Sequence, residues 1–276
     1  MVGAWERKRR WLDSGPGEKR MTLHPSIRTF LSSEHLSLGA AQEFVRIVNS
    51  AIEARGVCSV ALSGGETPRR MYNRLAKAPF ANSVDWNKVH VFFGDERVVP
   101  PTDHQSNFGM VDHELLSHLD IPDRNVHRIL GEISPEDAAR RYEQVLEDVF
   151  GYQEVRFDLV LLGLGEDGHT ASLFPGTRAL NEEQHSVSPN FVPQLESWRI
   201  SLTFPIINKA RWIVFLVAGT SKAAILRRVI GANGPSKDLP ATMVLPKEGI
   251  LLWMIDTDAG SQIKDLPGLS AAKQED

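Results

Sequence analysis

The sequence predicts an α/β fold: an open, mostly parallel sheet with helices on both faces. Three observations predict it. Short apolar runs alternate with amphipathic stretches along most of the chain, the order that builds parallel sheets through crossover helices. Runs such as Leu159–Leu162 are apolar at every position, as strands buried on both faces are. Glycine-rich turns follow several of these runs directly, where open α/β sheets hold their ligands.

Leu38, Ala41, Val45, Val48 and Ile52 share one helical face that closes near Gly56. A strand over 57–62 follows, then Ser63-Gly-Gly-Glu-Thr-Pro68 and a helix through Leu75. The next strand, 89–93, runs into Gly94-Asp95-Glu96-Arg97, and Phe108, Val111, Leu115 and Leu119 mark another helix. Ser134 before Pro135 is a helix start, with Ala138, Tyr142, Val145 and Val149 as its apolar stripe. After the strand at 159–162 the segment to Gln194 reads as polar and irregular. Strands at 199–203 and 212–218, a helix at 221–230 and a strand at 250–255 complete the alternation. No repeat or linker divides it, so 27–258 is expected to be one domain. Residues 1–26, with the basic stretch Trp5-Glu-Arg-Lys-Arg-Arg-Trp11 and Ser14-Gly-Pro-Gly17, are expected to form a loosely ordered tail, with Met21 as an alternative start. Residues 259–276 are expected to form a second, polar tail.

The chain has 276 residues, 42% hydrophobic and 24% charged, which is ample for a globular core. A net charge of -4 gives no electrostatic case for a nucleic-acid partner. Cys58 is the only cysteine, so no intrachain disulfide forms. No apolar run approaches a membrane span, and no apolar segment follows the basic N-terminal residues as in a secretory signal. A cytoplasmic location is expected.

Phe157-Asp-Leu-Val-Leu-Leu-Gly-Leu-Gly-Glu-Asp-Gly-His169-Thr-Ala-Ser-Leu-Phe-Pro175 is the most informative stretch. Three glycines after a buried strand deliver one histidine, a residue able to move a proton near neutral pH. Gly163-x-Gly165-x-x-Gly168 also matches a dinucleotide fingerprint. That reading fails, because Pro175-Gly176 stops the helix it needs and Glu182 and Glu183 end no strand.

Three strand-to-loop junctions can bind an anion. Ser63, Gly64, Gly65 and Thr67 offer hydroxyls and approachable N–H groups at a helix start, which suits a phosphate. It is neither a P-loop nor a nucleophile elbow, since no Gly-Lys-Ser/Thr follows and Ala61 stands two before Ser63. At the second junction Arg97 can grip phosphate oxygens while Asp95 orients a neighbour; the alternative is a structural ion pair. At the third, Ala218-Gly219-Thr220-Ser221-Lys222 sets Lys222 near a helix start. His113-Glu114 with His118 is one residue too long for a zinc-protease motif, and no other histidines show ligand spacing, so no metal is expected.

On Leu62-Ser-Gly-Gly-x-Thr-Pro68, Asp95-Glu-Arg97 with Pro100, Ser106-Asn107, the histidine loop from Gly163 to Pro175, Arg199-Ile-Ser-Leu-Thr203 and Gly219-x-x-Lys222, the chain resembles the 6-phosphogluconolactonase family. The likeness spans about Thr29 to Ile255. It implies a Rossmann-related, sugar-phosphate-isomerase-like fold and hydrolysis of 6-phosphoglucono-δ-lactone to 6-phosphogluconate in the oxidative pentose phosphate pathway. No cofactor is implied, and the partner is that small-molecule lactone, bound by a monomer or homodimer. It further implies His169 as general base, with Asp95 or Asp167 supporting it. For that reaction Ser63, Thr67, Arg97, Arg199 and Lys222 are expected around the phosphate, with main-chain N–H groups around Gly64, Gly65 and Gly168 as candidate donors to the developing oxyanion. Two alternatives stand beside it. A glucosamine-6-phosphate deaminase would typically read Ile-Ala-Phe-Asn-Glu after the histidine, where this chain has Thr170-Ala-Ser-Leu-Phe174. A non-catalytic sugar-phosphate sensor would be expected to lack His169. Glu66 departs from the small hydroxyl residue common in the family, and would repel a phosphate unless it points away or pairs with Arg69 or Arg70.

Overall fold

A computed structural model describes residues 26–151, 154–263, 265–266 and 274–275. The basic segment at 5–11 lies outside them. Seven parallel strands form the main sheet in the order β10 (Gln274–Glu275), β1 (Ser26–Phe30), β9 (Ile250–Asp256), β8 (Trp212–Val217), β5 (Leu159–Leu162), β2 (Cys58–Leu62), β3 (Val89–Phe93). Both faces are buried. Leu159, Leu161, Val214, Leu216 and Met254 meet Ala40, Phe44 and Ile47 of helix α1 (Ser33–Arg55) and Met71 of α2 (Glu66–Leu75). The alternate positions, Val160, Leu162, Phe215 and Trp253, are as fully enclosed. Stiff, apolar side chains on both faces explain why these strands show no polar alternation.

Helix ends follow their sequence signals. Ser32 accepts from the His35 N–H at the start of α1, and Gly56, at φ 81°, closes it with an N–H to Ile52 O. Ser134 caps α4 (Pro135–Phe150), with proline in the first turn. α3 (Asn107–Glu114) is shorter than its apolar periodicity suggests, because Leu115 leaves helical geometry and a 3-10 turn carries Leu116–His118. The helix Ala223–Ile230 likewise begins after the 3-10 turn Thr220–Lys222.

Two strand assignments are corrected. The segment around 199–203 is not in the parallel sheet. As β7 (Ser197–Leu202) it is the antiparallel centre of a second sheet, between β4 (Asp95–Arg97) and β6 (Val187–Val192). The irregular reading to Gln194 hid β6 because Pro189 and Asn190 interrupt its apolar positions. The polar tail expected over 259–276 is corrected where the structure describes it: Ala259 and Ile263 are buried in the core, and Gln274–Glu275 pair with β1. Among the described residues no helix is long and apolar enough to cross a membrane.

Chain order places the site. From β2 the chain moves outward to β3, then returns to β2's other side as β5. The loops leaving β2 and β5 therefore diverge from a topological switch point, where a crevice opens at the strands' carboxyl ends.

Candidate active site

The loop after β2 is pinned from below by a buried phenol. Tyr72 donates to Ser63 O at 2.9 Å and accepts from Ser63 N–H at 3.1 Å, replacing the lost sheet partner. Burial pushes this phenol's pKa far up, so it stays a neutral donor. Gly64 has no room for a side chain, since a Cβ would lie 1.8 Å from Asn107 Oδ1. Gly65, at φ 105°, opens α2. Among the described residues, the N–H groups of Gly64 and Gly65 donate to no backbone acceptor. With Thr67, Gly163, Gly219 and Lys222 they line a cavity of about 450 Å³. Ser63 Oγ, next in sequence to Gly64, is buried and has no hydrogen-bond partner among the described residues. Asp256 borders the cavity but is committed, accepting from the N–H groups of Gly219 and Ala259. Glu66 is largely exposed and pairs with Arg70 at 3.4 Å and Arg69 at 3.8 Å. Arg70 lines the same cavity, a position the sequence reading had not placed there.

The loop after β5 folds on itself around His169. Gly165 N–H donates to His169 O at 2.8 Å, and Thr170 Oγ1 donates to Gly163 O at 2.9 Å. His169 Nδ1 stands 2.6 Å from Asp167 Oδ1, which also accepts from the His169 backbone N–H at 3.0 Å. Donation from Nδ1 to the carboxylate leaves the lone pair on Nε2. Burial raises the Asp167 carboxyl, but the hydrogen bonds and charge of His169 outweigh it and hold its pKa below the usual range. Phe174 stacks on the imidazole with ring centroids 3.9 Å apart. A Cβ on Gly165 would fall 2.0 Å from Nδ1, so only glycine admits the His169–Asp167 pair.

Two residues act differently from the sequence reading. Gly168 offers no N–H to a ligand: it donates to Gly165 O at 3.0 Å, and its φ of 89° makes it the turn residue. Asp95 does not touch His169. Its Oδ2 accepts from Ser172 Oγ at 2.6 Å, and Oδ1 accepts from Asn107 Nδ2 at 3.2 Å. Asp167 is the carboxylate that the structure brings to the histidine.

Neighbouring Glu96 is buried and accepts from the N–H groups of Arg97, Asn107 and Phe108, so it organises the start of α3. Burial raises its pKa against the pull of those N–H groups. Arg97 and Arg199 are cross-strand partners on β4 and β7. Arg199 is buried, and its pKa is lowered first by burial and then by the charge of Arg97. Its Nη1 donates to Ser197 Oγ and Trp198 O, and no carboxylate lies within ion-pair distance among the described residues. The predicted cations thus fall into two groups. Lys222 belongs to the cavity, whereas Arg97 and Arg199 stand on the small sheet that touches the histidine loop.

Comparison with known proteins bears on family and fold. The profile of the family described as glucosamine-6-phosphate isomerases/6-phosphogluconolactonase matches residues 31–253. A 6-phosphogluconolactonase of Haemophilus influenzae is 37% identical over 233 residues, 84% of this chain and 97% of that one. One from Synechocystis is 38% identical over 246 residues, 88% of this chain and all of its own. The 6-phosphogluconolactonase structure from Trypanosoma cruzi superposes with a TM-score of 0.79 at 29% identity, covering 90% of this chain and 100% of that one. A monomeric glucosamine-6-phosphate deaminase shares the fold at a TM-score of 0.72 and 21% identity, covering 86% of this chain and 99% of its own. With a family match across most of its length and the site geometry to go with it, the chain belongs to the glucosamine-6-phosphate isomerase/6-phosphogluconolactonase family.

Proposed function

We infer that this chain hydrolyses 6-phosphoglucono-δ-lactone to 6-phosphogluconate, the oxidative pentose phosphate step, with His169 as general base. The observation that carries the mechanism is the 2.6 Å His169–Asp167 contact on a loop whose first residues, Gly163 and Leu164, border the cavity holding Lys222. His169 Nε2 takes a proton from water, which attacks the lactone carbonyl carbon. The tetrahedral oxyanion collapses, the bond from that carbon to the ring oxygen breaks, and the imidazolium returns its proton to the leaving oxygen. Asp167 fixes the tautomer and steadies the imidazolium between those events.

The phosphate sits in the cavity, held by Lys222, Thr67 and the N–H groups of Gly64 and Gly65 at the start of α2. Ser63 adjoins that seat in sequence. Arg97 and Arg199 supply the second cationic group, from the small sheet that holds the histidine loop through Asp95, for the charge that develops at the carbonyl. Anchoring at one end positions the ester at the other, so remote binding energy serves the chemical step. The reading is completed by a cytoplasmic setting and a monomer or homodimer. Its direct test is acid release from freshly made lactone, corrected for spontaneous hydrolysis, beside ammonia release from glucosamine 6-phosphate. Lactone turnover without ammonia supports it; ammonia without lactone turnover would overturn it.

A further inference from the structure

Asp95 is buried and hydrogen-bonded, yet it lies outside the reacting pair. Its two carboxylate oxygens join two loops. Oδ2 accepts from Ser172 Oγ at 2.6 Å, three residues beyond His169. Oδ1 and the Asp95 carbonyl accept from Asn107 Nδ2 at 3.2 and 2.9 Å, and Asn107 packs against Gly64 of the cavity loop. Asp95, Ser172 and Asn107 are all buried.

The grip on Ser172 has two further parts. Its N–H donates to Ser201 Oγ at 3.2 Å, and its carbonyl accepts from Asn190 Nδ2 at 2.8 Å. The same Asn190 amide donates to Thr177 Oγ1 at 3.0 Å, and Thr177 donates to the carbonyl of Phe174, the ring stacked on His169. Asp95, Ser201 and Asn190 come from β4, β7 and β6, one from each strand of the small sheet. Between His169 and Ser172, Ala171 is held at φ 47°, a left-handed conformation that alanine adopts only when its surroundings impose it.

Resting on the lactonase reading above, we propose that Asp95 and Ser172 are positioning residues: the small sheet, through Asp95, holds Ser172 and so fixes His169 relative to the Gly64–Gly65 seat. Neither touches substrate. A misplacement of about 1 Å at a reacting group can cost ~10²-fold in rate. Losing the anchor therefore lowers turnover and leaves phosphate binding intact.

The test compares Ser172→Ala, Asp95→Asn and their double variant with the parent on the phosphorylated lactone, alongside thermal melts and a pH–rate profile. The expected result is a loss of about 10- to 100-fold in kcat for Ser172→Ala with KM within about threefold. Asp95→Asn keeps a polar partner for both Ser172 and Asn107, so it loses no more than Ser172→Ala does. The double variant is no worse than the poorer single one, because both changes break the same link. The pH profile keeps its shape, since the proton-moving pair is untouched.

Near-native kcat in Ser172→Ala, even with a lowered melting temperature, would overturn the proposal and leave the residue a stability contact. So would an Asp95→Asn that is inactive, or has a displaced pH profile, while Ser172→Ala turns over normally; Asp95 would then act on the reaction itself. A parent protein without lactone turnover defeats the functional reading instead, so the two failures are distinguishable.

Discussion

His169 meets one carboxylate, that of Asp167, and one aromatic face, that of Phe174. Replacing His169 with Asn removes the base, so kcat falls by about 10²–10⁴ with the fold retained; an assay corrected for spontaneous hydrolysis, paired with circular dichroism, checks it. Lys222 and Arg97 should part company. Lys222→Ala weakens kcat/KM for the phosphorylated lactone by about 1.5–3 kcal/mol and leaves unphosphorylated gluconolactone little changed. Arg97→Ala slows both substrates alike, because it stands off the cavity, on the small sheet whose Asp95 holds Ser172 of the histidine loop. Equal, selective losses in both variants would put Arg97 on the phosphate after all. Glu66 also resolves at this scale. It pairs with Arg70, and both line the cavity, so Glu66→Ser removes a negative charge and frees a positive one. KM should drop at low ionic strength and converge with the parent value at high salt. Much of this site was legible from residue type and spacing: His169, Thr67, Lys222 and the two glycines fall where a strand-to-loop reading puts them. The partner of the histidine was not, because Asp95 and Asp167 are equally acidic on paper. Only the fold shows that the nearer one in sequence reaches the imidazole and the other reaches Ser172.

Within single elements, the histidine loop and the outer strand β3 carry the sharpest expectations. Gly165→Ala would set a methyl group on top of Nδ1, so activity should fall as far as in His169→Asn while the melting temperature changes little. At β3, His90 Nδ1 lies 3.1 Å from His127 Nε2, with the ring planes parallel to within 2°. Burial, then the charge of His90, lowers the His127 pKa to about 4, and burial, then the charge of Arg124, lowers that of His90. An unfolded histidine titrates near about 6.5. The unfolded chain therefore binds protons that the folded one refuses, and stability is full above about 6.5 and declines as pH falls towards about 4. Urea melts at pH 7 and pH 4.5 should show this, with a smaller difference in His127→Gln. Elements with strong periodicity or all-apolar runs were readable, notably α1, α4, β5 and β8. β4 and β6 were not, since three charged residues in one and Pro189-Asn190 in the other carry no alternating pattern; tertiary hydrogen bonds decide them.

At the level of the whole molecule, the division of labour follows from topology. The parallel sheet makes the crevice, and the antiparallel one reaches over to hold what stands beside it. A sequence read as a single alternation of strand and helix puts all strands into one sheet. It then misses that 95–97, 187–192 and 197–202 form a separate support. That is why the cations appeared to be one phosphate cluster, although Arg97 and Arg199 belong to a different sheet from Lys222.

The pairing of β1 with β9 bears on how the chain is made. Thr29 lies against Ile255 and Phe30 against Asp256, so the first described strand waits for one of the last before it gains its neighbour. A ribosome that has released everything up to β8 has therefore delivered both loops of the candidate site but left the sheet open along the edge that β9 will fill. Contacts this distant in sequence slow folding and prolong exposure of apolar edges. Stalled nascent chains ending before residue 250 should remain sensitive to protease and bind chaperones. Chains extended past residue 263 by a linker long enough to clear the exit tunnel should become resistant together, in one step.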